Sequence, residues 1–205
     1  MQPNADELHN RVRAHLFESA EVKRQMVETC MASILAATDL ISETFRSGGK
    51  LLLCGNGGSA ADCQHMADEF VSRLTKDFDR PGLPIIALTT DTSFLTAYAN
   101  DVKFEGVFAR QVEVLGKPRD VLVGISTSGN ALNEIRAVEA ARQTNLKIIA
   151  ITGSGGRLAN MADVGIAVPS SNTQYIQEAH LATEHILCDL VERTLFEPVG
   201  ESTSL

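Results

Sequence analysis

No run of lysine and arginine occurs anywhere in this chain, whose formal net charge is −8. An acidic surface repels phosphodiester backbones, so the composition argues against nucleic acid as a partner. A small phosphorylated ligand is not excluded, because local amides and hydroxyls can hold an anion whatever the global charge. No apolar run approaches the roughly 20 residues that span a bilayer. The start, Met1-Gln2-Pro3-Asn4-Ala5-Asp6-Glu7, lacks the basic opening and apolar stretch of a secretion signal. A cytoplasmic protein with no membrane partner is expected. Four cysteines (Cys30, Cys54, Cys63, Cys188) include no CxxC pair and read as reduced thiols. Cys54 ends an apolar run and Cys188 sits in an apolar helix, so both are expected in the core. Tryptophan is absent too, yet 44% hydrophobic and 21% charged residues make an ordinary globular composition.

Internal repeats, low-complexity tracts and interdomain linkers are also missing, and 205 residues suit one domain. Residues 5–47 carry Val22, Met26, Val27, Cys30, Ile34, Leu35, Leu40, Ile41 and Phe45 at helical spacing, and Gly48-Gly49 stops the pattern. A helical arm this long needs a surface to cover, its own sheet or a partner subunit. From 48 to 197 the chain alternates. Short apolar runs lie at Lys50–Cys54, Leu83–Leu88, Asp120–Gly124, Lys147–Ile151 and Val164–Val168; four of them, rich in β-branched or leucine residues, show no clear alternation, which suits strands buried on both faces. Helical stretches lie between them near 59–73, 92–115, 130–144 and 156–161, and a last helix spans roughly Thr173–Phe196. The order predicts a doubly wound α/β core, with 198–205 as a frayed tail.

In such a fold ligands bind outside the carboxyl ends of the strands. Two loops there stand out. Gly55-Asn56-Gly57-Gly58-Ser59 follows the first strand; it is neither a Walker A loop nor a GxGxxG fingerprint, but its glycines allow close backbone approach before a helix N-terminus. It reads as an anion-binding turn or as a tight turn only. Ser126-Thr127-Ser128-Gly129-Asn130 follows the third strand and offers three consecutive hydroxyls to a phosphate. Helix capping accounts for one of them.

Proton-transfer candidates sit on two helices. His65 and Glu69 are four apart and share a face. On the last helix, Gln177, Leu181 and His185 form one i, i+4 row, while His180 and Glu184 lie on another stripe and read as solvated or interfacial. Imidazole and carboxylate together suit general acid–base work. Two His, one Glu and one Gln suit a tetrahedral metal site equally well.

Gly55-Asn56-Gly57-Gly58-Ser59, His65-Met66-Ala67-Asp68-Glu69, Ala99-Asn100-Asp101, Gly124–Asn130 and Ile176-Gln177-Glu178 with His185 resemble the phosphoheptose isomerase branch of the sugar isomerase (SIS) superfamily, over nearly the whole chain. The resemblance implies a single SIS domain with a five-stranded parallel sheet flanked by helices, a homotetramer, and sites between subunits. It implies conversion of sedoheptulose 7-phosphate to D-glycero-D-manno-heptopyranose 7-phosphate, the first step toward ADP- or GDP-heptose and the heptose of lipopolysaccharide. Glu69 and His185 match the family's catalytic pair. His65, Glu69, Gln177 and His185 match its zinc positions, one ion per subunit. Asn56, Gly57, Gly58, Ser59, Glu69, Asn100, Asp101, Ser126, Thr127, Ser128 and Gln177 match its substrate contacts.

Two positions depart from the family. Ala131 stands where a further serine is usual, and Tyr175 replaces a common arginine, which removes a positive charge near the mouth. A rival of another class is a non-catalytic tetramer, the DnaA initiator-associating protein, resembled around Cys188-Asp189-Leu190 and Thr194-Leu195-Phe196. That branch lacks the carboxylate and imidazole present here at Glu69 and His185. An isomerase or sensor of another sugar phosphate is the third reading.

Overall fold

The computed structural model describes residues 4–77 and 79–197. The tail expected at 198–205 lies outside the described residues. The N-terminal arm is two helices, α1 (Ala5–Thr29) and α2 (Met31–Arg46), separated at Cys30. Asn4 opens α1 with a capping box, accepting from the Glu7 amide while the Glu7 carboxylate accepts from its own. Then follow β1 (Leu51–Gly55), α3 (Gly58–Val71), β2 (Ile85–Ala87), α4 (Thr92–Asp101), α5 (Val107–Leu115), β3 (Val121–Ser126), α6 (Leu132–Gln143), β4 (Lys147–Thr152), the single turn α7 (Leu158–Met161), β5 (Val164–Ala167) and α8 (Thr173–Phe196).

All five apolar runs are strands, with ends shifted by a residue or two, in one parallel sheet of order β2-β1-β3-β4-β5. Residues alternate between two cores. Leu51, Leu53, Val121, Val123, Ile149 and Ile151 face α1, α2, α3 and α8. Leu52, Cys54, Leu122, Ile148 and Ala150 face α5, α6 and α7. Both faces are therefore covered, which is why the strand sequences are apolar throughout. All four cysteines are buried and unpaired.

Two expectations are corrected. The helical stretch at 92–115 is broken: α4 ends at Asp101, Lys103 is extended, and a 3₁₀ turn over Phe104–Gly106 leads into α5. Asn100 and Asp101 are weak helix formers and mark the break. His180 and Glu184 are neither solvated nor at the surface of the protomer. Both are fully buried, on the stripe of α8 that includes Ile176, Ala179, Thr183, Leu187 and Val191 and packs toward the sheet. The Tyr175 hydroxyl donates to Glu18 at 2.9 Å and its ring meets His15 edge-on, tying α8 to α1. The same seam holds Glu178 against His15 and Ser19.

No described helix is long and apolar enough to cross a membrane. On α1, Leu8, Val12, Leu16 and Phe17 remain exposed.

Candidate active site

The order β2-β1-β3 reverses direction between β1 and β3, so the loops leaving these strands diverge and open a crevice at the carboxyl edge. These are the glycine turn and the hydroxyl loop. Gly57 has φ +60° and ψ −120°, a conformation open only to glycine, and it starts α3 without a side-chain cap. Gly58 follows, with the Gln177 amide packed so closely on it that a β-carbon would collide with Nε2 and sit 3.1 Å from Cδ. The turn from β1 and the first helical turns of α8 are thus joined through Gln177. Ser59 is buried beneath them.

The hydroxyl loop is not spent on capping. Helix α6 has Ala131 at its N-cap and no side-chain capping bond. Ser128 shapes its own loop, its hydroxyl accepting from the Asn130 amide at 3.2 Å. Ser126 is buried, Thr127 half-buried and Ser128 exposed. A cavity of about 290 Å³ adjoins them, lined by Thr127, Ser128, Ser154, Ser170, Ser171 and Thr173 among others. The last four hydroxyls went unnoticed in the sequence, because they are scattered over two loops and a helix start.

About two and three turns beyond Gly58, α3 presents His65 and Glu69 toward α8. His65 Nε2 and His185 Nε2 are 2.9 Å apart, with the rings edge to face. Glu69 Oε1 lies 3.6 Å from His65 Nε2, and one ligand atom from each of the three residues lies within 4.8 Å of the others. His65 stays accessible, its side chain 42% exposed, while Glu69 is mostly enclosed at 16%. Two imidazole nitrogens this close to each other and to a carboxylate either share one proton or turn their lone pairs to a cation. The donor set fits a zinc ion. Gln177 lies two turns earlier on the same stripe of α8.

Behind the carboxylate, Arg80 closes the end of α3. Its guanidinium donates to the Glu69 and Phe70 carbonyls at 2.7 and 2.8 Å and pairs with buried Glu192 of α8. Arg80 and Glu192 side chains are 0% and 2% exposed. This brace fixes the backbone that carries Glu69, and no local sequence pattern announced it.

Asn56 is held from below. Its amide donates to Asn133 Oδ1 and Glu134 Oε1, both at 3.0 Å, and its carbonyl accepts from Asn133 Nδ2 at 2.8 Å. Burial lifts the Glu134 carboxyl to about 7, with the neighbouring Ser126 hydroxyl and the Asn56 amide working against the rise. Asn100 and Asp101 are the expected site residues that no described contact joins to this cluster. They lie exposed at the end of α4, bonded to each other at 2.8 Å.

The SIS domain family model matches residues 15–153. A phosphoheptose isomerase of Roseiflexus sp. (strain RS-1) is 56% identical over 180 residues, 87% of this chain and 90% of that protein. The solved structure of a phosphoheptose isomerase from Neisseria gonorrhoeae superimposes with a TM-score of 0.84 at 44% identity, covering 90% of this chain and 98% of that one. One from Francisella tularensis gives 0.86 at 37% identity, covering 90% and 97%. The chain belongs to the SIS domain family, in its phosphoheptose isomerase branch.

Proposed function

We propose that this phosphoheptose isomerase family member interconverts sedoheptulose 7-phosphate and D-glycero-D-manno-heptopyranose 7-phosphate, opening the route to ADP- or GDP-heptose. One observation carries the reading: a carboxylate on α3 and an imidazole on α8, far apart in sequence, are brought together. Moving the carbonyl from C2 to C1 removes a proton from C1, passes through an enediol, and returns a proton to C2. Glu69 acts at carbon and His185 moves the proton between the two oxygens, or the two exchange tasks. The glycine turn, the hydroxyl loop and Gln177 hold the phosphate and the sugar hydroxyls.

His65, Glu69, His185 and Gln177 would hold a zinc ion, which when bound polarises the carbonyl or braces the site. A carboxylate given fully to the ion is a weaker base, so Glu69 binds it loosely or the ion is partly structural. The bare apolar stripe on α1 supports a homotetramer whose subunits cover each other's arms, with sites near the interfaces. Cytoplasmic residence goes with a phosphorylated substrate made and used inside the cell. The binding-only alternative is disfavoured by the juxtaposition of Glu69 and His185, groups that a scaffold does not need.

The test is a coupled assay with sedoheptulose 7-phosphate, repeated after chelation and after zinc is restored. Turnover that falls on chelation and returns with zinc supports both site and ion. Turnover indifferent to chelation removes the zinc assignment alone, and none under any condition removes the isomerase.

A further inference from the structure

Helix α6 turns an aliphatic face, Ile135, Ala137, Val138 and Ala141, into the core. Glu134 is buried beside it, 1% exposed. A glutamate in such a place costs free energy unless its polar atoms are used. One is: Oε1 accepts the Asn56 amide, while Oε2 is buried without a hydrogen-bond partner. Asn56 does not need this acceptor to be oriented, since Asn133 already holds both ends of its amide. The groups that face Glu134 are the Ser126 hydroxyl on β3, Asn56 on the glycine turn, and the thiols of Cys54 on β1 and Cys63 on α3. None is a cation.

We infer that Glu134 is a positioning residue that sets the anion affinity of the pocket: its carboxyl, bonded to Asn56 and set beside Ser126, joins the glycine turn to the hydroxyl loop as a neutral acid and weakens anion binding when it ionises. This rests on the reading that these two loops hold a sugar phosphate. Burial places the proton's release near pH 7, so the switch falls in the physiological range. Below it, the carboxyl is an uncharged link between the loops. Above it, a negative charge with no counter-ion lies directly under Asn56, and like charges brought together in a low-dielectric site repel strongly. Every other group is common to wild type and variant, so the effect is read as the difference between them.

Inorganic sulfate is the suitable probe, because its charge is constant between pH 6 and 8.5. Its Kd is measured by calorimetry across that range for wild type, Glu134→Gln and Glu134→Val, with KM and kcat for the sugar phosphate alongside. Wild-type affinity is expected to fall about tenfold more than that of Glu134→Gln, a like-charge penalty of modest size, with the difference in KM rather than kcat. Glu134→Val, matching its aliphatic neighbours, gives the same flat profile should the amide variant fold poorly. Parallel curves for wild type and both variants overturn the assignment while leaving the pocket intact. Sulfate that binds to none of the proteins overturns the phosphate pocket itself, and Glu134 with it.

Discussion

Replacing Gly58 by alanine separates stability from activity more cleanly than any change in the acid–base pair. Gly58 is the first residue of α3 and its φ is not positive. In a helix interior alanine is favoured over glycine by about 1 kcal/mol, less in the first turn. For a protein of this size that shifts the melting temperature upward by at most about 2–4 °C. The new β-carbon would overlap the Gln177 amide, the mobile end of a side chain, so Gln177 swings aside and the backbone stays. A lost hydrogen bond to a charged group is worth about 1.5–3 kcal/mol. At about 1.4 kcal/mol per factor of ten, kcat/KM should drop roughly 10- to 150-fold. Thermal melts and the coupled isomerase assay check both halves. Because the damage passes through one side chain, Gly58→Ala combined with Gln177→Ala should lose little more than either alone. Wild-type kcat/KM in Gly58→Ala, or losses that multiply in the double variant, would refute the reasoning.

Glu69→Gln keeps the shape of the side chain and should abolish isomerisation with an unchanged melting temperature; substantial residual turnover would remove Glu69 from the chemistry. Glu192→Ala strands the buried Arg80 guanidinium, and the expected loss is about 3–5 kcal/mol in urea unfolding. His180 is held at about 4, below its usual 6.5, chiefly because burial disfavours the imidazolium. The stability it contributes is complete above pH 6.5 and drains away as the pH falls toward 4, by about 3 kcal/mol in all. His180→Leu should flatten that part of the unfolding free energy against pH, and an unaltered acid slope would show that the imidazole finds a partner when charged.

Much of the fold is legible in the residues. Four apolar runs without clear alternation pointed to strands covered on both sides, and the stop at Gly48-Gly49 separated the arm from the core. The 92–115 stretch misled because its apolar spacing continues across Val102 and Phe104, while the chain between Asp101 and Gly106 turns out of the helix. His180 and Glu184 misled for the opposite reason. Polar types suggested solvent, yet their spacing from Ala179, Thr183 and Leu187 puts them on the core stripe of α8. In the site, the pairing of His65 with Glu69 could be read from a spacing of four. Arg80, Asn133, Glu134 and Glu192 could not be found that way, since each acts on a partner far away in sequence.

Residue spacing by itself determined which side chains share a helix face, because a helix repeats on a short local period whatever surrounds it. It also determined that the sheet is covered on both faces, since an exposed face would demand polar residues at alternate positions. Only the tertiary structure decided that α3 and α8 pack on the same face of the sheet, bringing His185 to His65 and Glu69 and seating Gln177 on Gly58. That choice follows from how two helices more than a hundred residues apart bury their apolar stripes together, a global packing problem that no local pattern encodes.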